Sequence, residues 1–158
     1  FSDIVEADCY INVQGDEPIV NIKDIECLIA YNKKHPSRVV FGKSKANEEE
    51  FNDFSKAKVV CNINGRLLYS SRAGIPLSNK GKFVSAERAI WLYAFNKESL
   101  NKYYLSSGKT NLDLLEDNEI IRFLEIDVPV FCIDMIGDSW AVDEKKDLKI
   151  VEDRLKNE

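Results

Sequence analysis

Short apolar runs alternate with charged and turn-forming stretches along the whole sequence, and their spacing predicts a protein of strands and helices. Runs rich in β-branched and aromatic residues predict strands at 9–13, 39–41, 59–63, 66–70, 89–95 and 128–135. Amphipathic spacing predicts helices at 22–33, 97–106, 111–125 and 143–155. Asn21 is the expected N-cap of the first helix, and Pro36 ends it, so His35 is interpreted as a helix-end residue rather than a catalytic base.

Local patterns also predict the turns and the buried helix faces. Asn64-Gly65 between two β-favouring runs predicts a β-hairpin, because these two residues readily adopt the positive φ angles of a tight turn. The charged segment 43–53 is typical of a solvated loop or a short helix, and 77–84 of a polar loop. The predicted buried faces consist of Ile22, Ile25, Leu28 and Ile29 in the first helix and of Leu100, Tyr103 and Tyr104 in the second.

The order of these elements predicts the fold class. It runs strand, helix, strand, hairpin, strand, two helices, strand, helix, which is typical of an α/β layered domain with a mixed sheet. Pro129 indicates that the last strand lies at an edge of that sheet or begins there. With 158 residues, 44% of them hydrophobic, the chain is long enough for one α/β core, so we interpret 1–158 as a single domain.

Composition and charge exclude several classes of protein. The net charge is -5 and no basic stripe is visible, which argues against a nucleic-acid partner. The four cysteines are far apart and form no CxxC motif, and the sequence contains a single histidine. This pattern argues against a zinc site and favours the reduced thiols of a cytoplasmic protein. No apolar run approaches the roughly 20 residues that a membrane span requires, and no signal peptide is visible.

Asp16 is the first candidate for chemistry, because it follows the end of the first predicted strand. In open α/β sheets, ligands bind beyond the carboxyl ends of the strands. A carboxylate there is well placed to hold a hard cation such as Mg²⁺, which takes oxygen ligands and bridges substrate phosphates. Gly15 allows the backbone to approach a ligand closely, and Pro18 stiffens the turn. The same residues also fit an ordinary polar turn.

Other charged residues stand at comparable positions. Arg72 follows the predicted hairpin, and its fork of donors matches a carboxylate or a phosphate, although a solvent-facing arginine fits equally. Glu116, Glu119 and Arg122 recur every third residue and would share one helix face, functional or merely solvated. Asp143 stands before the last helix, either as its N-cap or as a second acidic ligand.

Taken together, these residues give the sequence a resemblance to the 3-deoxy-manno-octulosonate cytidylyltransferase (CMP-KDO synthetase) family. Nearly the whole chain matches the order and spacing of the family's motifs. The matching segments are Val13-Gln14-Gly15-Asp16-Glu17-Pro18, Lys58-Val59-Val60, Gly65, Leu68-Tyr69-Ser70-Ser71-Arg72-Ala73, Ile75-Pro76, Leu92-Tyr93-Ala94-Phe95, 116–124, Ala141-Val142-Asp143 and Asp147-Leu148.

The resemblance implies a fold, a reaction and roles for individual residues. The fold is a three-layer α/β/α domain like those of nucleotide-diphospho-sugar transferases, and the family's enzymes join CTP to a 2-keto-3-deoxy sugar acid, releasing pyrophosphate. Asp16 and Asp143 would hold Mg²⁺, and Arg72 would contact the sugar carboxylate. The implied substrate-binding residues are Gln14, Gly15, Arg72, Arg88, Tyr93, Glu116 and Glu119. The resemblance does not distinguish KDO from an 8-amino relative or a nonulosonic acid.

Three departures from the family pattern change what we expect. Arg88 and Ala89 stand where many members have a histidine before this strand, so the sugar contacts are expected to differ. Asp143 is retained, but the residues that follow it, Glu144-Lys145-Lys146, differ from the family's helix start. The family's first strand and its basic, glycine-containing nucleotide loop have no counterpart in the 158 residues. For these residues alone we therefore expect weak CTP binding, slow or absent turnover and an exposed sheet edge.

The resemblance also leaves a partner and two alternatives to consider. Family members are commonly homodimers, and the segment 66–84, with its hairpin strand and loop, is the expected dimerisation segment here. The first alternative is a truncated, non-catalytic sugar-nucleotide-binding or assembly domain of the same fold. The second is a glycosyltransferase of similar fold, for which Gly15-Asp16-Glu17 only loosely imitates the expected Asp-x-Asp pair.

Overall fold

Six strands and six helices make up the part of the chain that the computed structural model describes, residues 2, 4–137, 139–142 and 144–156. The strands are β1 (Tyr10–Val13), β2 (Val39–Ala46), β3 (Lys58–Cys61), β4 (Leu67–Ser71), β5 (Ala86–Phe95) and β6 (Val130–Asp134). The helices are α1 (Ile22–Lys34), α2 (Glu48–Asn52), α3 (Lys97–Leu105), α4 (Asn111–Glu116), α5 (Glu119–Glu125) and α6 (Lys145–Leu155).

The long strand β5 organises a single mixed sheet in the order β4-β3-β5-β2-β6. One side of β5 pairs along its length with β2, while its other side pairs with β3 near its start and with β1 near its end. All pairs are antiparallel except β2 with β6, so the sheet is mixed, as the element order predicts. β6 lies at the edge, as Pro129 allows, and β1 pairs with no second strand among the described residues.

Alternate residues of the central strands enter two separate cores, one on each face of the sheet. Phe41, Tyr93 and Phe95 pack on one face against Ile120 and Phe123 of α5. Val40, Leu92 and Ala94 pack on the other face with Leu28 of α1. Because a strand directs successive side chains to opposite sides, this pattern produces three layers, helix, sheet and helix.

Two strands, β2 and β5, extend further than their apolar cores predict. β2 continues through Ala46, so the first part of 43–53, predicted as a solvated loop or a short helix, is a strand, while α2 lies in its second part. Lys43 tolerates this position because it bonds Glu87 on β5 and Asp134 on β6, the latter at 2.7 Å. Opposite charges on neighbouring strands replace the apolar contacts that the pattern requires.

The predicted helix 111–125 is wrong in one important respect, since it is two helices. Asp117 has a left-handed conformation with φ 45°, and Asn118 starts α5 as its N-cap. The Asn118 side chain also donates a hydrogen bond of 2.9 Å to Ser70 Oγ on β4, which anchors the break to the sheet. Glu116 and Glu119 therefore belong to different helices and do not share the face that the spacing suggests.

Helix ends are predicted better than helix faces. Asn21 caps α1 and His35 is its C-cap, as predicted, and the hairpin turns at Gly65 with φ +77°. In contrast, Ile22 and Tyr104 are 66% and 80% exposed, against the prediction that both face inward. The last helix is capped by Glu144, not by Asp143, which lies outside the described residues. Among the described helices, none is both long enough and apolar enough to cross a bilayer.

Candidate functional site

The loop after β1 holds the candidate acidic residue next to a distant part of the chain. Gln14 follows the strand directly, and its carbonyl accepts a hydrogen bond of 3.2 Å from the amide of Glu17, which closes the turn. The carbonyl of Asp16 accepts a bond of 2.9 Å from the amide of Val142. The segment 139–142 between β6 and α6 is therefore attached to the carboxyl end of β1.

A polar cavity of about 150 Å³ opens at this end of the sheet. The residues around it come from the loop after β1, the loop before β3, the end of β4, the middle of β5 and the break between α4 and α5. They are Gln14, Asp16, Ser55, Arg72, Trp91, Asp117 and Glu119. Three carboxylates, one guanidinium, one amide and one hydroxyl therefore surround a space about as large as five water molecules.

Gln14, Tyr93 and Glu119 form a connected group on one side of this cavity. Tyr93 is fully buried, and its hydroxyl donates a hydrogen bond of 2.7 Å to Glu119 Oε1. Gln14 Nε2 donates to the same carboxylate oxygen at 2.9 Å and to the Tyr93 hydroxyl at 3.5 Å. Burial, with the Glu119 carboxylate beside it, raises the pKa of Tyr93 well above its usual value, so this phenol remains a donor across the physiological pH range.

Glu116 lies behind the cavity and fixes the exit of β4. Its carboxylate accepts hydrogen bonds from Ser71 Oγ at 2.7 Å, from the Tyr69 hydroxyl at 3.3 Å and from the backbone amide of Arg72 at 2.9 Å. Both oxygens of this carboxylate therefore have donors from β4 and its exit. Glu116 holds the chain that carries Arg72 and is not among the residues that line the cavity.

The guanidinium of Arg72 is itself largely committed to backbone carbonyls. Nε donates to Glu116 O at 2.7 Å, and Nη2 donates to Asp117 O at 3.0 Å. Nη1 donates to the carbonyls of Phe54 and Ser55 at 3.3 and 3.4 Å. These contacts hold Arg72 at the cavity wall, where its positive charge faces the three carboxylates.

Two oxygens belonging to cavity residues are buried without a hydrogen-bond partner in the described part of the chain, Asp16 Oδ1 and Ser55 Oγ. A buried polar atom without a partner costs free energy, so such atoms often mark the place of a ligand, an ion or a water. For Asp16, the chemistry fits a hard divalent cation, which prefers carboxylate oxygens. The described residues contain no cluster of three or more acidic, histidine or cysteine side chains that would form a complete metal cage. Mg²⁺ does not require one, since it usually takes one or two carboxylates together with substrate phosphates.

Arg88 lies away from the cavity in a buried ion pair. Its Nε is 2.9 Å from Glu50 Oε1, and its Nη2 donates to the carbonyl of Ser139 at 3.4 Å. Ser139 also donates its hydroxyl to Glu17 Oε2. Burial raises the pKa of Glu17 above its usual value, the neighbouring Asp16 acts in the same direction, and the bond from Ser139 opposes the change. This network ties the segment 139–142 to both β5 and the Asp16 loop.

The structure thus brings some of the predicted residues together and separates others. Gln14, Asp16, Arg72 and Glu119 line one cavity, and Tyr93 bonds two of them. Glu116 and Arg88 do not line that cavity, although Glu116 accepts a bond from the Arg72 amide, and Gly15 is exposed with open space around it. Asp143 lies outside the described residues, directly after Val142 in the sequence.

Sequence reasoning missed three residues that line the cavity, namely Ser55, Trp91 and Asp117. Trp91 stands inside an apolar run and looks like any core residue of a strand. Ser55 belongs to a short polar stretch without periodicity, and Asp117 was placed inside one continuous helix. The Asp117-Asn118 pair was the one available signal, because both residues favour a helix break over a helix interior.

Comparisons with known proteins show which family the chain is similar to. A family model described as "Cytidylyltransferase" matches residues 2–147. A 3-deoxy-manno-octulosonate cytidylyltransferase of Acidobacterium capsulatum is 30% identical over 152 residues, covering 96% of this chain and 62% of the relative. An 8-amino-3,8-dideoxy-manno-octulosonate cytidylyltransferase of Shewanella halifaxensis is also 30% identical, covering 96% of this chain and 63% of the relative.

A solved structure extends the similarity to the whole described fold. It is a CMP:2-keto-3-deoxy-manno-octonic acid synthetase complexed with CTP, with a TM-score of 0.88 and 25% identity. The similarity covers 99% of this chain and 65% of that chain. The chain therefore spans somewhat less than two thirds of the length of the proteins that it resembles.

Proposed function

The chain belongs to the cytidylyltransferase family, and from this premise we propose that it takes part in transferring CMP from CTP to a 2-keto-3-deoxy sugar acid, with release of pyrophosphate. The observation that carries the proposal is the polar cavity at the carboxyl end of β1. There an unpartnered carboxylate oxygen of Asp16, a fixed guanidinium and a set of hydrogen-bonding side chains converge. The names of the relatives, which act on KDO or on its 8-amino relative, support the substrate class.

Gln14, Tyr93 and Glu119 are the proposed sugar-binding group. The Tyr93 hydroxyl and the Gln14 amide hold Glu119 Oε1 in one orientation, which leaves its second oxygen to accept a hydrogen bond from a sugar hydroxyl. A preformed acceptor of this kind orients the sugar at little entropic cost when it binds. Arg72 contributes the positive charge that an acidic sugar requires among three carboxylates.

Asp16 and Asp143 are the proposed ligands of Mg²⁺. Asp16 Oδ1, which has no partner among the described residues, supports the first assignment, and the bond between Asp16 and Val142, the residue before Asp143 in the sequence, supports the second. When bound, Mg²⁺ would neutralise phosphate charge and lower the pKa of the attacking hydroxyl. The chain's own residues position the two substrates, and such a transfer requires positioning and charge rather than a protein nucleophile.

A homodimer formed through 66–84 is the proposed assembly. Leu68, Leu77 and Val84 of this segment are 57%, 58% and 74% exposed. Val84 lines a groove of about 580 Å³ whose wall also includes Val60, Pro76 and Phe83. Exposed apolar side chains concentrated in one segment are typical of a protein–protein interface.

All four cysteines are free thiols, which supports the cytoplasm as the proposed compartment.

Pyrophosphate release tests the activity. It is measured with CTP, the sugar acid and Mg²⁺ on the polypeptide that the native gene encodes, and we expect Asp16→Asn to lower the rate about a hundredfold. Asp8→Asn, a change at an exposed carboxylate before β1, is the matched control and should leave the rate unchanged. Sugar binding without any pyrophosphate release would instead favour the non-catalytic binding domain.

A further inference from the structure

The loop between α2 and β3 is held by hydrogen bonds at almost every backbone group. The amide of Ser55 donates to Asp53 Oδ1 at 2.8 Å, and the buried Lys58 ammonium donates to the carbonyls of Asp53 and Lys56 at 2.8 and 2.6 Å. The carbonyls between them, those of Phe54 and Ser55, accept from Arg72 Nη1. Two cations thus fix the backbone of Ser55 on the wall of the cavity.

The side chain of Ser55 contrasts with its backbone. Its hydroxyl oxygen is buried and has no hydrogen-bond partner in the described ranges, although Ser55 lines the polar cavity. Burying a hydroxyl without a partner is unfavourable, so a serine that serves only the fold would be better replaced by alanine. An unpartnered hydroxyl on a residue that lines a cavity and has a fixed backbone is suited to a ligand contact.

The donors of Arg72 explain which ligand group needs this hydroxyl. A guanidinium has five N–H donors, and a carboxylate bound in the bidentate manner takes two of them. In this structure, Nε and Nη2 each donate to one backbone carbonyl, and Nη1 donates to two. Nη2 keeps one N–H for a ligand, but its bidentate partner Nε is already engaged, so a carboxylate at this edge of Arg72 needs a second donor from elsewhere.

Ser55 is the group placed to supply that second donor. Its carbonyl is in direct contact with Arg72 Nη1, so serine and guanidinium are neighbours on one wall. The Gln14 amide, a neutral donor on the same cavity, is engaged by Glu119 and Tyr93. Asp16, Asp117 and Glu119 only accept hydrogen bonds when ionised and would repel a carboxylate.

We propose that Ser55 is a substrate-binding residue whose hydroxyl donates a hydrogen bond to the carboxylate of the sugar acid, while Arg72 donates its remaining N–H to the same carboxylate. The proposal rests on the proposed function, because it assumes that a sugar acid is the ligand. It assigns the recognition of the acid to a pair, in which the arginine supplies charge and the serine supplies the second donor.

Calorimetric binding of the sugar acid to Ser55→Ala tests this assignment. We expect its dissociation constant to rise tenfold or more, as for loss of a hydrogen bond to a charged group, and to stay unchanged for an analogue with a methyl group in place of the carboxylate. The thermal midpoint should stay unchanged or rise, because the hydroxyl has no partner in the free protein. Ser44→Ala removes another buried, unpartnered hydroxyl, one outside the cavity, and should alter neither affinity.

The possible results separate this inference from the proposed function. If wild type binds the acid and Ser55→Ala binds it equally well, the role of Ser55 is refuted and the proposed function stands. Equal losses for the acid and the methyl analogue would also refute it, since the hydroxyl would then act on another part of the ligand or on the fold. If wild type does not bind the acid, both proposals fail. Should the alanine variant unfold, Ser55→Cys, a weak donor of similar size, must show the same selective loss.

Discussion

The amide of Val142 donates a hydrogen bond of 2.9 Å to the carbonyl of Asp16, so two segments from opposite ends of the chain meet at the end of β1. The bond belongs to a larger attachment. Ser139 bonds both Glu17 and Arg88 in the same region, and the carboxylate of Asp24 on α1 accepts the amides of Ile136 and Gly137 at 2.6 and 2.9 Å. These hydrogen bonds hold the segment between β6 and α6 in place, both before it reaches the candidate site and at the site itself.

Val142→Pro tests whether this attachment matters for a divalent ion. Proline removes the donating N–H, so we expect the affinity for Mn²⁺, measured by electron paramagnetic resonance as a substitute for Mg²⁺, to fall about tenfold. Val142→Ala keeps the amide and should bind Mn²⁺ like the wild type. Equal affinities for all three proteins would show that the bond has no part in ion binding.

Glu17 is expected to make folding stability depend on pH. Burial raises its pKa in the folded protein above the usual 4.5, so the folded state holds a proton that the unfolded state releases. Its favourable contribution is therefore complete below pH 4.5 and is lost as the pH rises through the higher folded value. Urea unfolding between pH 4 and 8 should show a smaller decline of the free energy of unfolding for Glu17→Gln than for wild type. Glu26→Gln, at an exposed site on α1, should follow the wild-type curve.

Gly42 and Gly15 should respond in opposite ways to the same substitution. A Cβ at Gly42 would lie 2.8 Å from the carbonyl oxygen of Ile90 and 2.9 Å from Met135 Cε, whereas a Cβ at Gly15 meets nothing within 4 Å. We expect Gly42→Ala to destabilise the fold by about 1–3 kcal/mol in chemical denaturation, and Gly15→Ala to leave stability unchanged. If the Gly15 backbone approaches a ligand closely, Gly15→Ala should still weaken substrate binding, and unchanged binding would remove Gly15 from the site.

Glu116 is expected to act on the site only through Arg72. In Glu116→Gln, an amide group replaces a carboxylate oxygen and cannot accept all three hydrogen bonds from Tyr69, Ser71 and Arg72. The free energy of unfolding should fall by about 1–3 kcal/mol, and sugar-acid affinity should fall with it because Arg72 loses its backbone support. Glu49→Gln on the exposed side of α2 is the control. A stable variant with normal affinity would contradict this role.

The proposed dimer is tested at the exposed apolar residues of 66–84. Leu77→Glu and Val84→Glu each place a charge where an interface would bury it, so sedimentation velocity at micromolar concentration should show monomers for both variants and dimers for the wild type. Leu155→Glu changes a similarly exposed leucine at the end of α6 and should remain dimeric. A monomeric wild type would rule out this assembly.

Much of the candidate site was predictable because it depends on strand ends. Asp16 and Gln14 stand just past an apolar run that predicts a strand. In an open α/β sheet, ligands bind beyond the carboxyl ends of the strands. The resemblance added Tyr93 and gave roles to Arg72 and Glu119, and these three do lie around one cavity or bond to its wall. The sequence could not indicate that the donors of Arg72 are used by backbone carbonyls, because those carbonyls belong to residues distant in the chain.

The amino-acid sequence by itself determined the features that neighbouring residues control: the Asn64-Gly65 turn, the Asn21 cap, the end of α1 at His35 and the alternation that buries both faces of the sheet. Each depends on a local φ angle, a local hydrogen bond or the period of a strand. Only the tertiary structure decided that the helix breaks at Asp117, where the Asn118 side chain bonds Ser70 on β4, and that Ser55 lines the cavity while its hydroxyl has no partner in the described part of the chain. These outcomes depend on hydrogen bonds between distant segments, whose energies exceed the small local preferences that a sequence pattern reveals.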